Sequence, residues 1–363
     1  MRNGVLRPAL MLPNLEGKTR ILVGHHPSQA ELVRQHLVRA RATIVTHFHL
    51  IPVFVADCPH ETVAPLRSCP GILHVEPDFP VRALGAAQPW AHRRMKTHAL
   101  YQHGLTGRGA NVAVLDTGIT DSHPHLNVAG GVNLIDRGPW TDHNGHGTAV
   151  ASIIGDRTMT ADGGTLGTAP GCSLYAVKVL GDRGIGSTAS LIAGLEWSVD
   201  NRMHIVHMSV GTVRTSRSLR MACAAAYRAG CLLVAAAGNG GSRRGHRDTV
   251  LAPARFPSVL AVGAIGRHNR RAPFSATGPS LSLVAPGVDI PCAVPGGFQQ
   301  QTGTSAAAAH VTGIAALLIE ACSPTHRQLR RALGLSAHPC GPRHLYGRGR
   351  VDALRALAIA MSY

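Results

Sequence analysis

The sequence predicts an α/β protein: a large domain built on a mostly parallel central sheet flanked by helices, preceded by a small α+β unit. Three observations carry this. From residue 110 onward, short and nearly continuous apolar runs recur at 111–116 (NVAVLD), 174–180 (LYAVKVL), 205–210 (IVHMSV), 231–238 (CLLVAAAG) and 259–265 (VLAVGAI). Such runs belong to strands covered on both faces. Helical spacing of apolar residues fills gaps at 147–155, 188–201 and 217–229, so strands and helices alternate as a parallel sheet requires. Before residue 84 the texture differs. There, β-like alternation at 20–27, 43–56 and 72–83 surrounds a helical pattern at 28–41 that opens on Ser28 as a cap candidate.

The boundary between the two parts falls in ALGAAQPWAHRR, small residues around Gly85 followed by Pro89, the composition of an exposed, cleavable linker. The expected organisation is a tail at 1–19, a small domain at 20–84 and a large one at 85–363. A chain of 363 residues has room for both. Its hydrophobic fraction of 45% against 15% charged supplies a packed core and excludes a disordered chain.

Lys and Arg total 36 against 19 Asp and Glu, a formal charge of +17, and Lys18, Lys96 and Lys178 are the only lysines. The excess is therefore arginine. With aromatics at 4% and the arginines scattered along the sequence, specific nucleic-acid binding is not expected. The best apolar run, at 313–319, stops at Glu320, short of the roughly 20 residues that span a bilayer, so no membrane association is expected either. Near the N-terminus the apolar run 9–12 is too short for the core of a secretory leader. That leaves the compartment open between the cytoplasm and export by an unrecognised route. The eight cysteines (Cys58, Cys69, Cys172, Cys223, Cys231, Cys292, Cys322, Cys340) include no C-x-x-C pair. Reduced, mostly buried thiols are the expectation unless the chain is exported.

Sites in parallel sheets lie at the carboxyl ends of the strands. Asp116 ends one apolar run and Asn239 follows another. Three motifs come in order: VAVLDTGI at 112–119, NGHGTAVAS at 144–152 and TGTSAAAAHV at 302–311. Taken singly, each has a structural explanation, since a strand-end Asp or a Ser before a helix is commonly a cap, and His146 is one of 22 histidines. Together, Asp116, His146 and Ser305 offer a nucleophile, a base to take its proton and a carboxylate to orient the base. Asn239, in AAAGNGG at 235–241, adds an amide that can donate to a developing oxyanion.

These residues resemble the subtilisin family of serine peptidases, and the resemblance runs over residues 21–351, with further matching segments at 174–180, 194–197, 208–211, 256–264 and 284–290. It implies a subtilisin-like three-layer domain in which Asp116, His146 and Ser305 map onto the catalytic triad and Asn239 onto the oxyanion donor. Ser209, Val210 and Gly211 match the extended segment that pairs with substrate backbone, and Ala237 and Gly238 join them as substrate-binding positions. The unit at 20–84 resembles an inhibitory pro-segment that assists folding and is removed by self-cleavage near 84–88. The function so implied is a serine endopeptidase acting through an acyl-enzyme at neutral to alkaline pH. Protein or peptide substrates, an apolar preference, its own pro-segment as intramolecular inhibitor and a monomeric state go with it. The alternatives are a catalytically silent subtilisin-fold binding protein and an arginine-dominated nucleic-acid binder.

Several positions depart from the family pattern. Ala306 and Ala309 replace its usual Met and Pro, His207 its Asn, and Thr212 a Gly, which bears on specificity. No cofactor is required for the chemistry. A structural calcium belongs to the family, but in DSHPHL at 121–126 His125 replaces the usual ligand Asp, and the loop 157–167 offers Asp162 in a different pattern. Calcium prefers oxygen ligands to imidazole, so metal ligands stay unassigned.

Overall fold

The computed structural model describes residues 17–48, 51–78, 90–120, 123–136, 138–160 and 165–363. The tail at 1–16, the linker at 79–89, Asp121 and Asp162 lie outside them. The chain divides into two compact units, Met1–Ala83 and Leu84–Tyr363.

In the first unit, strands β1 (Lys18–His25), β2 (Thr43–His47), β3 (Val53–Pro59) and β4 (Ile72–Pro77) form an antiparallel sheet in the order β2-β3-β1-β4. Helices α1 (Ala30–Arg39) and α2 (Val63–Leu66) connect them. Val33 and Leu37, one turn apart on α1, bury with Ile21, Val23, Phe54 and Ala56. The apolar run 43–56, read as one β-rich stretch, is two strands. Folding it back sets Ile44 opposite Ala56, where a single strand would overrun so small a sheet. Ser28 does not cap α1: it sits in a 3-10 turn opened by Pro27, and its hydroxyl bonds His26 Nδ1 at 2.8 Å. The cap position is Gln29, which makes no side-chain capping bond.

The second unit opens with α3 (Trp90–Met95) and α4 (Thr97–Gln102), followed by strands β5 (Asn111–Asp116), β6 (Val128–Asn133), β7 (Ser173–Lys178), β8 (Ile205–Met208), β9 (Leu232–Ala236), β10 (Val259–Ile265) and β11 (Leu283–Pro286). These form one seven-stranded sheet, β11-β10-β9-β8-β5-β7-β6, with every neighbouring pair parallel. The expected mostly parallel α/β sheet is therefore present. Strand order reverses around β5, which opens a crevice at the carboxyl ends of β5, β8 and β9. A hairpin, β12 (Ile290–Val294) with β13 (Gly297–Gln301), precedes the longest helix.

Helix α5 (His146–Gly155) and helix α8 (Thr304–Cys322) share a buried cluster with one face of the sheet. The opposite face packs on α6 (Thr188–Asp200) and α7 (Arg217–Arg228), giving three layers. Every residue of α8 from Thr304 to Leu318 is buried, and its Ala306–Ala309 stretch lets the helix backbone approach the sheet closely. Among the described residues α8 is the one helix long and apolar enough to cross a membrane, yet it forms the centre of this core. Glu320 near its end accepts the backbone N–H groups of Thr106 and Gly107, each at 2.6 Å, and Arg108 Nε at 3.0 Å. Three helices end the chain: α9 (His326–Ser336), α10 (Arg343–Tyr346) and α11 (Ala353–Ala360).

All eight cysteines are unpaired thiols, and Cys58, Cys172, Cys223, Cys231 and Cys292 are buried. Burial pushes Cys172, Cys223 and Cys292 up to about 12, which keeps them protonated and unreactive.

Candidate active site

Strand β5 carries Asp116 to its carboxyl end, where the side chain is fully buried. Its Oδ1 accepts the Thr117 backbone N–H at 2.7 Å and lies 2.8 Å from His146 Nδ1. A carboxylate can only accept, so Nδ1 carries the proton and Nε2 is free to accept. Ser305 Oγ lies 3.3 Å from that Nε2. Residues 30 and 159 positions apart are thus joined carboxylate to imidazole to hydroxyl.

Local sequence explains how each arrives. His146 is the first residue of α5, and its N-cap Gly145 has φ +95°, a conformation that glycine adopts without strain. Gly147 lies so close to the turn before it that an added Cβ would come within 2.1 Å of the Gly118 carbonyl. The loop itself is held by Asp142, which the sequence reading did not single out. Its Oδ1 accepts from Thr117 Oγ1 (2.8 Å) and from the backbone of Asn144 and Gly145 (both 2.9 Å), and its Oδ2 accepts from Thr148 N (2.9 Å) and Oγ1 (2.7 Å). Burial alone would push this carboxyl up, but these bonds outweigh it and hold it below its ordinary value. Asp142 thereby fastens the end of β5 to the start of α5.

Asn239 lies just beyond β9. Its Oδ1 accepts both the backbone N–H and the hydroxyl of Thr304 at 2.9 Å, which fixes the amide and turns Nδ2 away from that partner. The Thr304 hydroxyl in turn accepts Gly238 N–H at 3.1 Å. Ser305, second in α8, has a backbone N–H among the first four of the helix, which lack intrahelical acceptors. Asn239 Nδ2 and the Ser305 backbone nitrogen lie 3.4 and 3.8 Å from the point where a Cβ on Gly303 would stand, so both face the space beside that glycine.

Residues 209–211 continue past β8 and make no backbone hydrogen bond to another described residue. They line a cleft of about 600 Å³ together with His146, Leu180, Ile185 and Leu191. Ala237 and Gly238 differ. They are buried, and their carbonyls accept from Leu251 and Ala276 while their N–H groups reach Val262 and Thr304, so they shape the wall and offer no free backbone group. His207, the unusual residue before Met208, is buried between elements: Nδ1 lies 2.9 Å from Thr312 Oγ1 on α8 and Nε2 lies 2.7 Å from Ser209 Oγ.

The imidazoles of this core respond to acid in a predictable direction. Burial pushes His207 down to about 3 and His310 well below its ordinary value. An unfolded histidine titrates near 6.5, so below that pH the unfolded chain binds protons that the folded chain refuses. The contribution of each such group is full above pH 6.5 and is lost progressively as pH drops below it, for His207 down to about 3. Denaturant midpoints between pH 7 and 4 are expected to decline steeply, and His207→Asn is expected to flatten the decline.

The model of the subtilase family matches residues 107–349. The chain belongs to the subtilase family. Among curated relatives, it is 38% identical over 354 residues to the alkaline protease of Alkalihalobacillus alcalophilus, covering 93% of this chain and 91% of that protein. It is 40% identical over 316 residues to the thermostable alkaline protease of Halalkalibacterium halodurans (86% and 85%), and 38% identical over 313 residues to subtilisin E of Bacillus subtilis (85% and 81%).

Near the calcium position that the family resemblance implies, the described acceptors are engaged within the protein, while Asp121 and Asp162 lie outside the described residues. The carbonyl of His125 is occupied by Arg157 N–H at 3.0 Å, and its ring packs edge-on against His123. Asp156 spends its carboxylate on Thr158 N–H (2.7 Å) and Ser152 Oγ (3.0 Å). No group of three His, Cys, Asp or Glu among the described residues is placed to share a metal ion.

Proposed function

We propose that Asp116, His146 and Ser305 are the catalytic triad of this chain, a serine endopeptidase of the subtilase family acting on protein or peptide substrates. The observation that carries the assignment is the chain of contacts from Asp116 Oδ1 through both His146 nitrogens to Ser305 Oγ. Ser305 attacks the scissile carbonyl while His146 Nε2 takes the hydroxyl proton, and the tetrahedral oxyanion forms. His146 then returns the proton to the leaving amine, the acyl-enzyme remains, and water reverses the sequence. Asp116 keeps Nδ1 protonated throughout and steadies the imidazolium. Fluorophosphonate labelling should occur in the wild type and vanish in Ser305→Ala; labelling that survives the substitution refutes the assignment.

Asn239 Nδ2 and the Ser305 N–H serve as oxyanion donors in this reading. Asn239→Leu is expected to lower kcat by about 10²–10³-fold with little change in KM. Residues 209–211 present an unpaired backbone edge, and a substrate strand pairs with it while the apolar cleft receives side chains. Mapping cleavage sites in a peptide library should return an enrichment of apolar residues.

The first unit is proposed as an inhibitory pro-segment cut off near 84–88. It has its own core, as a separately folded inhibitor needs. Intact mass of the active enzyme tests this: a chain that still carries residues 1–80 during turnover rejects it. The triad chemistry uses protein groups alone, and no tight calcium site is proposed. Thermal midpoints with excess calcium and with chelator should therefore agree within about a degree, where a tight site would separate them by several.

A further inference from the structure

Arginines that are scattered in sequence meet in space. A second cavity of the large unit, about 880 Å³, is lined by Arg327, Arg330, Arg331, Arg343 and Arg348, with no Asp or Glu in its wall. The first three lie on α9, Arg343 opens α10, and Arg348 follows it. The floor includes Leu260, near the start of β10, and Ser282, just before β11. This places the cavity at the amino ends of the strands, whereas Asp116, Ser209 and Asn239 lie at the carboxyl ends. The seven residues of β10 set the two ends of the sheet roughly 20 Å apart.

None of the five guanidinium groups pairs with a carboxylate of another described residue. Two are held in place. Arg330 donates from Nη2 to the Val259 carbonyl at 3.3 Å and lies over the Tyr227 ring at 5.5 Å, and Arg331 lies over Tyr363 at 5.6 Å. Arg348 runs against α9 at Gly334, where an added Cβ would meet its Cδ at 3.4 Å. Burial lowers the pKa of Arg330, a sign of a cation desolvated without a counter-charge. Tyr227 and Tyr363 are not in the cavity wall, so Arg327, Arg343 and Arg348 carry most of the charge that faces the concavity, and these like charges repel one another across distances that salt screens only in part. A multiply charged anion relieves that repulsion and supplies the acceptors that planar guanidinium forks hold best.

We infer that this cavity is a binding site for a compact oligoanion bearing closely spaced phosphoryl groups. Its shape and composition favour such a ligand over a nucleic acid strand. The wall carries no Phe, Tyr or Trp on which bases stack, His344 being its one ring, and a concave pocket suits a small ligand better than a long duplex.

The test uses full-length Ser305→Ala protein, which removes self-digestion, titrated with inorganic tripolyphosphate by calorimetry and thermal shift. One site per chain is expected, with a midpoint raised by several degrees at saturation and affinity that falls as salt rises. Orthophosphate at equal total phosphate should bind far more weakly. The pairs Arg327→Ser with Arg331→Ser, and Arg343→Ser with Arg348→Ser, should each weaken tripolyphosphate binding by at least about 30-fold, and using two pairs guards against one failing to fold. Arg214→Ser with Arg217→Ser, outside the cavity, should leave it unchanged. Absent binding, equal loss in the outside pair, or a short DNA duplex that binds the cavity more tightly than tripolyphosphate would each overturn the inference.

Discussion

Ser305→Ala is expected to lower kcat by roughly 10⁶-fold while KM changes little, the magnitude found when a subtilisin triad loses its nucleophile or base. The reason lies in the contact chain. His146 Nε2 has one hydroxyl to activate, Ser305 Oγ at 3.3 Å, and without it water must attack the substrate with no covalent intermediate. The cleft at 209–211 and the proposed oxyanion donors, Asn239 Nδ2 and the residue 305 N–H, survive the substitution, so binding is expected to persist with a residual acceleration of roughly 10³-fold over water. Steady-state kinetics on a chromogenic peptide checks this, with burst-phase acylation measured alongside. A loss of less than tenfold would show that another group performs the attack.

Removing the charge of Asp116 gives the second largest effect. Asp116→Asn should lower kcat by roughly 10⁴-fold, because an amide facing Nδ1 lets the ring adopt the tautomer that points a proton at Ser305. Its pH signature separates this from simple misfolding. Asp116 raises the His146 pKa above its ordinary value, chiefly by charge and against the opposing effect of burial. His146 must be neutral to accept the serine proton, so activity in the wild type falls as pH drops through that raised value. In Asp116→Asn the raising charge is gone, and the acid limb of kcat/KM should move to lower pH although the plateau is far lower. A limb that stays in place would mean that His146 is not the base whose titration limits the rate.

Much of this could be read from residues alone, and the reasons are physical. β5, β8, β9 and β10 are buried on both faces, so their sequences had to be continuously apolar, and the residues that end them stand out as polar breaks. That is how Asp116 and Asn239 were visible. β6 was not, because VAGGVN at the sheet edge is half-exposed and lacks the pattern. Asp142 was missed for a different reason: its five accepted bonds come from residues 117 to 148, and only folding brings them to one carboxylate. The D-x-N-G-H spacing before α5 was the available signal, since an Asp two and three residues ahead of backbone N–H groups can cap a tight loop. Ser28 misled because Pro27 favoured a short 3-10 turn over immediate helix. The arginine cavity was invisible in sequence, as residues 327 to 348 converge only when α9 and α10 close around the start of β10.

The unpaired thiols have a consequence for how long the enzyme lasts. With no disulfide between distant segments, noncovalent contacts alone slow the first opening of the chain, and because an opened chain is open to cleavage by an endopeptidase, that opening rate sets the working lifetime. Dithiothreitol should therefore neither shorten nor lengthen its half-life, and the same molecule can persist in a reducing medium where disulfide-stapled secreted proteins come apart.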